Sequence, residues 1–110
     1  MYFRGKGAVL LSLEGRIAFA STYFCDLVGV EHKEIAGMSC FDFVFPEDRD
    51  KALELVNLEA ESTPAPFRFR LRRMNGTEIW VDIQHAPMKA ANGNICGITA
   101  TVTAAGTGFA

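Results

Sequence analysis

Cysteine and histidine are the side chains of this sequence best suited to covalent or proton-transfer chemistry, and there are few of either. Cys25, Cys40 and Cys96 are odd in number and widely spaced, so they fit neither a disulfide framework nor a CxxC metal site. A reactive thiolate needs a positive neighbour, whereas the first charged side chains after Cys40 are all acidic. We therefore predict a structural role for Cys40, and unpaired cysteines predict a reducing, cytoplasmic setting.

The histidines indicate no catalytic site. His32 and His85 are far apart in the sequence, and no serine, cysteine or carboxylate motif frames either of them. The motifs GxSxG, Walker A and HExxH are absent as well. The sequence thus predicts a protein that is not an enzyme, with no catalytic and no metal-binding residues.

Bulk composition narrows the class of protein further. A chain of 110 residues is long enough for one domain, and 49% apolar with 22% charged residues is typical of a globular protein. The net charge of −2 favours neither nucleic acid nor an anionic membrane, and no apolar run is long enough to span a bilayer. Nine phenylalanines predict either a bulky core or an apolar cavity that bulky side chains line.

The first half of the chain predicts short elements. The stretch AVLLSLEGRIAFAS is typical of two strands around a Glu14-Gly15 turn. Ser21 would cap the short helix TYFCDLVG, which Gly29 ends. EHKEIAG is a second candidate for a single helical turn, which Gly37 stops.

A longer helix is predicted to begin at Pro46, because proline suits the first helical position. Glu47 and Asp48 would follow in the first turn, where the helix dipole favours negative charge. Segment 42–61 holds seven of the thirteen acidic residues, which indicates a solvated helix face. STPAP then ends the helix.

The second half predicts three antiparallel strands. In FRFRLRRMNGTEIWVDIQHAPM, apolar residues alternate with polar ones, so one face of each strand points inward. A three-residue loop with Gly76 in the left-handed conformation keeps the apolar face whole and pairs Phe69 with Val81. A two-residue Asn92-Gly93 loop would then set His85 opposite Ala100. Because Pro87 has no N–H to donate to a neighbouring strand, we expect a bulge or a sheet edge at this position.

On the outer face, the same register predicts two ion pairs and one cation–π contact. Arg68 would pair with Asp82 and Arg72 with Glu78, while Arg70 would lie against Trp80. An exposed tryptophan beside an arginine is typical of an interface, although Trp80 could also simply cover the sheet. The arginine-rich strand lacks the aromatic interleaving and net charge that nucleic-acid binding needs.

In their order and spacing, these motifs resemble a PAS domain over nearly the whole chain. EGRIAFAS is similar to the family's opening turn and second strand, and LVGVEHKEIAGMSCFDFVFPEDRD to its short helices and the entry to its long helix. FRFRLRRMNGTEIWVDIQHAPMKAANGNICGITATVT resembles its last three strands. The resemblance implies an α+β fold, namely a five-stranded antiparallel sheet with short helices and one longer helix packed on one face. It also implies a sensory or dimerising module of a larger signalling protein, such as a histidine kinase or diguanylate cyclase.

Family comparison also bears on cofactors. Cys40 stands where the LOV branch of PAS has its flavin-reactive cysteine in Gly-x-Asn-Cys-Arg-Phe-Leu-Gln, but here Phe41 replaces the arginine. Haem-binding members place a histidine on the long helix, which has none here, so only His85 could serve. The cofactor therefore stays unknown, with haem and flavin both disfavoured. The acid of the family's Asp-Ile-Thr ending is also absent at Thr101-Val102-Thr103, which puts output coupling through it in doubt.

These observations lead to one principal hypothesis and one alternative. We expect a flexible segment at 1–7, a PAS sensor domain at 8–104 and a tail at 105–110, cut from a larger protein with its effector domain in cis. The domain would bind a small apolar or amphipathic ligand between sheet and helices, without membrane contact, and would dimerise through the sheet face or flanking helices. The alternative is a ligand-free interaction module with a filled core. His85 is then either a core histidine or a polar group at the pocket mouth.

Seven residues are candidate pocket residues and two are interface candidates: Phe41, Phe43, Phe69, Val81, Ile83, His85 and Ile98 for the pocket, and Arg70 and Trp80 for the interface.

Overall fold

The structure is a computed structural model that describes the backbone of residues 6–58 and 66–105, with side chains for 6–54 and 66–105. Its regular elements follow the predicted order of two strands, helices and three strands. They are β1 (Gly7–Leu11), β2 (Ile17–Ala20), α1 (Thr22–Val28), α2 (His32–Ile35), 3₁₀ turns at Cys40–Phe43 and Pro46–Asp48, α3 (Arg49–Leu58), β3 (Phe67–Arg72), β4 (Glu78–Lys89) and β5 (Ile95–Ala104).

The five strands form one antiparallel sheet in the order β2-β1-β5-β4-β3. The core lies between this sheet and the helices, where inward residues of the strands meet apolar side chains of the helical segments. β1 and β5 pair at the centre of the sheet, which joins the two ends of the described chain. The predicted α+β fold is confirmed.

The register of the first hairpin is as predicted. Phe69 pairs with Val81, and Arg70 pairs with Trp80. Gly76 has φ +91°, the left-handed conformation that favours glycine in this loop. The alternation of apolar and polar residues was therefore sufficient to select the loop length.

The second hairpin confirms the predicted pairing of His85 with Ala100 but corrects the turn. The Ala90 N–H donates to the Asn94 carbonyl, so three residues rather than two form the loop. An irregularity between Met88 and Lys89 restores the register. Pro87 lies four residues beyond Ile83, the last β4 residue that pairs with β3, so its missing N–H costs no ladder hydrogen bond on that side.

Two predictions about helix starts need correction. Ser21 precedes α1, but its hydroxyl accepts from the Ala8 N–H of β1 at 2.9 Å and makes no cap hydrogen bond. Pro46 begins a 3₁₀ turn, and the α-helix starts only at Arg49. Glu59 and Glu61, expected on the solvated helix face, lie outside the described residues.

The predicted domain limits differ slightly from the strand limits. β1 begins at Gly7, one residue before the predicted start of the domain. Ala105, assigned to the tail, is buried, and its N–H donates to the Trp80 carbonyl at 2.8 Å. Residues 1–5 and 106–110 lie outside the described residues. None of the described helices has the length and apolar character needed to cross a membrane.

Candidate functional site

An apolar cavity of about 110 Å³ lies between the sheet and the helical segments. Residues of all five strands form one side, and α1, the Cys40–Phe43 turn and α3 form the other. A void of this size inside a protein is unusual, because interiors are normally packed as densely as organic crystals. The cavity is therefore the main candidate for a functional site.

Six of the seven predicted pocket residues line this cavity, and one does not. Phe41 and Phe43 come from the helical side, whereas Phe69, Ile83, His85 and Ile98 come from the sheet. Val81 is completely buried, at 0% exposure, but packs in the core away from the cavity. Strand parity predicts which face a residue lies on, but it does not predict how close to a void the residue lies.

The helical wall is built by a short capped turn. The Ser39 hydroxyl accepts from the Phe41 N–H at 3.1 Å, and the Asp42 carboxylate accepts from the Ser39 N–H at 3.3 Å. This reciprocal capping box holds the 3₁₀ turn at Cys40–Phe43. It directs Phe43 into the core and leaves Phe41 half-buried at the cavity.

Gly15 fixes the distance between this turn and the β1–β2 loop. Its carbonyl accepts from the Cys40 N–H at 2.8 Å, and its φ is +87°. A Cβ atom at this position would lie 3.2 Å from the Phe41 ring and 3.3 Å from the Cys40 Sγ. Glycine is therefore required both for the turn and for the close approach of the cavity wall.

Cys40 borders the cavity as a protonated thiol. Its removal from water raises its pKa to about 11, although a backbone hydrogen bond lowers the pKa in part; the smaller effects of Asp42, which raises the pKa, and Arg49, which lowers it, come after these. At neutral pH the sulfur therefore behaves as a small apolar group rather than as a nucleophile.

His85 is buried, at 7% exposure, and its ring lies edge-on to that of Phe67, with centroids 5.3 Å apart. It lines the cavity from β4, on the inner face that parity predicted. Among the described residues that line the cavity, only His85 and Cys40 carry a polar side-chain atom.

The sequence interpretation missed several cavity residues. Phe67 pairs with Ile83 and shares its face, so the parity that selected Ile83 could have selected Phe67 too. The others come from β1, β2, α1, the segment at Cys40–Val44, α3 and the last strands, and their approach depends on tertiary packing. They are Val9, Leu11, Ile17, Phe24, Cys40, Val44, Ala52, Leu71, Ala100 and Val102.

Arg70 connects the edge strand β3 to the segment between the cavity wall and α3. Its guanidinium donates to Asp48 at 3.0 Å and to Glu47 at 3.2 Å, and it stacks 4.3 Å from the Phe45 ring centroid. It also donates to Glu78 at 3.3 Å. The predicted contact with Trp80 is thus replaced by Phe45, because Arg70 reaches carboxylates on the helical side that the hairpin pattern alone does not contain. Arg70 is therefore occupied within the chain rather than free for a partner.

The outer face of the hairpin has one predicted ion pair but not the other. Arg68 donates to Asp82 at 2.8 Å, as expected. Glu78, expected to pair with Arg72, instead accepts from Arg70 and from the Trp80 indole N–H, the latter at 3.2 Å. Trp80 itself remains 48% exposed. Within the described residues, no three histidine, cysteine or acidic side chains are grouped to hold a metal ion.

Comparison with known proteins places this architecture in a family. The family model for the PAS domain matches residues 6–103. The chain is 31% identical over 84 residues to the C4-dicarboxylate transport sensor protein DctS of Rhodobacter capsulatus, a match that covers 74% of this chain and 13% of that protein. The chain therefore spans only a small part of this relative's length.

Solved structures show the same fold. A PAS domain from Colwellia psychrerythraea superposes with a TM-score of 0.80 at 16% identity, over 90% of this chain and 85% of that one. The LOV domain of the blue-light photoreceptor Aureochrome1, in its light state, gives 0.72 at 19% identity, over 92% and 82%. At these identities the superpositions carry information about the fold alone. Together with the family match over most of its length, the sheet order and helical layer establish that this chain belongs to the PAS domain family.

Proposed function

We propose that this PAS domain is a non-catalytic, ligand-sensing module of a larger signal-transduction protein, and that its ligand binds in the cavity between sheet and helices. The observation that carries the proposal is the apolar cavity, which borders all five strands, two helices and the Cys40–Phe43 turn. A ligand there would contact both layers of the fold at once. Ligand binding would therefore favour one packing of the layers over another, which is the requirement for a population shift.

The position of the domain within a larger protein is supported by the match to DctS. That match spans 13% of a sensor protein, which leaves room for other domains in such a protein. An effector domain in cis, such as a histidine kinase or a diguanylate cyclase, would convert repacking of the PAS core into an output. Three unpaired cysteines, of which one is exposed, support a reducing cytoplasmic setting.

The alternative is an interaction module without a ligand, in which the phenylalanines fill the core. The two hypotheses are separated by native mass spectrometry and an absorbance spectrum of the purified chain. A bound mass that is lost on denaturation, or an absorbance band outside the protein's own, would support the sensor. A homogeneous ligand-free mass from several expression hosts and growth media would contradict it.

Dimerisation through the outer sheet face is the second part of the proposal, supported by the half-exposed indole of Trp80. Exposed tryptophan is enriched at the centres of protein interfaces, where its truncation commonly weakens binding by more than tenfold. Arg70 is not included, because its guanidinium is bound to Asp48 and Glu47.

Sedimentation equilibrium tests the dimer. Trp80→Ala should weaken self-association at least tenfold while the circular dichroism spectrum stays unchanged. Met74→Ala is the matched control, because Met74 is equally exposed but lies in the β3–β4 loop. Identical association constants for the two variants would contradict the proposed interface.

A further inference from the structure

The size of the cavity restricts the ligand. At about 110 Å³ it is smaller than the cavities of roughly 300–1,000 Å³ that hold drug-sized molecules. An engineered apolar cavity of about 150 Å³ in another protein stays dry and binds benzene or xenon. The cavity described here therefore has room for a molecule of about six non-hydrogen atoms, and a three-ring flavin or a haem exceeds it.

The lining restricts the charge of the ligand. Of the seventeen described residues around the cavity, fifteen have side chains made only of hydrocarbon. The thiol of Cys40 stays protonated at neutral pH because burial raises its pKa to about 11. A carboxylate placed here would lose its hydration among hydrocarbon side chains, which is strongly unfavourable, and of the described lining residues only His85 could offer it a positive charge.

The nearby cations do not change this conclusion. Arg70 is held by the carboxylates of Asp48, Glu47 and Glu78 outside the cavity. Arg49 is exposed and lies 5.1 Å from the Phe41 ring centroid, and it is not among the residues that line the cavity. No described lysine, arginine or acidic side chain borders the void.

We infer that the ligand of this domain is a small, uncharged, hydrocarbon-like molecule of about benzene size; this inference rests on the proposed function. Five phenylalanine rings line the site, and Phe24 and Phe43 already meet edge to face at 6.0 Å. Rings in this arrangement also accept an aromatic guest favourably. A dicarboxylate, which the name of the relative DctS associates with that protein, does not suit this cavity.

Nuclear magnetic resonance titration of the whole chain with benzene, benzoate and succinate tests the ligand class. Benzene should shift the amide signals of β3, β4 and β5 in a saturable manner, with a dissociation constant of about 1 mM or tighter. Benzoate has the same ring and one negative charge, so it should bind at least about tenfold more weakly. Succinate should produce no saturable shift of these signals.

Cavity-filling variants show whether the binding is at this site. Ala100→Leu places new atoms in the cavity beside His85, and Ala52→Leu places new atoms in the cavity from α3. Each variant should therefore weaken benzene binding at least about tenfold. Using both keeps the test valid if one variant fails to fold. Ala8→Leu adds the same atoms at an exposed position of β1 that does not line the cavity, and should bind benzene as the unmodified chain does.

The possible failures are distinguishable. Benzoate or succinate binding as tightly as benzene, with the same signals shifted, would overturn the ligand class and leave the proposed function intact. No saturable shift with benzene would overturn this inference, while the proposed function would still be decided by the native mass spectrum. Unchanged benzene affinity in the folded filling variants would place the binding elsewhere and also overturn the inference.

Discussion

The core has two parts that differ in how well they are packed. One part, which we call the packed part, consists of buried residues that do not line the cavity. It includes Cys25 and Val28 of α1, Ile35 of α2 and Val81 of β4, all nearly inaccessible to solvent. The other, the hollow part, surrounds the cavity with five phenylalanines from α1, the Cys40–Phe43 turn and β3.

The difference between the packed part and the hollow part shows how the shape of the side chains determines whether a core is filled or contains a cavity. Small and branched side chains on two short helices can interdigitate closely with the sheet. Rigid rings from three separate elements meet edge to face, as Phe24 and Phe43 do, and such contacts enclose space between them. Outside the hollow part, Arg70 and its carboxylates join β3 to the segment before α3.

Truncation in the packed part should give the largest effect. Ile35→Ala should lower the free energy of unfolding by about 2–5 kcal/mol, because the removed atoms leave a hole in dense surroundings. Ile83→Ala, at a half-buried cavity position, should lower the free energy of unfolding by under about 2 kcal/mol, because this side chain buries less apolar area in the folded protein. Urea unfolding followed by circular dichroism measures both, and equal losses would contradict the distinction between the two parts.

Removal of the Arg70 contacts should have the next largest effect. Arg70→Met should lower the melting temperature because it leaves Asp48 and Glu47 without their cation and separates β3 from the segment before α3. Arg68→Met, which breaks a single ion pair with Asp82 on the outer face, should lower it less. The gap between the variants should narrow in 1 M salt, since salt screens exposed charges. If Arg68→Met is the more damaging variant, the outer ion pair and not the Arg70 cluster stabilises this edge.

The smallest effect is expected in the labelling rates of the cysteines, which should differ between the packed part and the hollow part of the core. Burial raises the pKa of both Cys25 and Cys40, to about 11 for Cys40. N-ethylmaleimide labelling followed by mass spectrometry should modify the exposed Cys96 first. Cys40 in the hollow part should follow, and its rate should rise about tenfold per pH unit from pH 8 towards 11 as the thiolate forms. Cys25 in the packed part should be the slowest, and labelling of Cys25 before Cys40 would show that the packed part opens more readily.

Local patterns were sufficient for much of the fold. The alternation in FRFRLR and EIWVDI allows only one hairpin register that keeps the apolar face whole, and the structure has that register. The inner-face positions of Phe69, Ile83 and His85 follow from the same parity, and this is the face of the sheet that borders the cavity. The same parity argument applies to Phe67, which the sequence interpretation did not include among the pocket residues.

Contacts between distant segments were not predictable in this way. Ser21 has the right type and position for a cap, yet β1 lies beside it and its Ala8 N–H takes the hydroxyl. Arg70 faces Trp80 in the register, yet two carboxylates more than twenty residues away in the chain bind it instead. In each case a polar group took the partner that tertiary packing brought close rather than the partner nearest in the local pattern.

The sequence by itself determined the strand register, the element order and the PAS architecture, because side-chain parity and turn residues act between neighbours along the chain. Only the tertiary structure decided that the phenylalanines line a cavity instead of filling the core, and that Val81 belongs to the packed part while Ile83 lines the cavity. That distinction depends on how rings from α1, the Cys40–Phe43 turn and β3 meet across the core. Such contacts are set by shape in three dimensions, and a local sequence pattern does not contain that information.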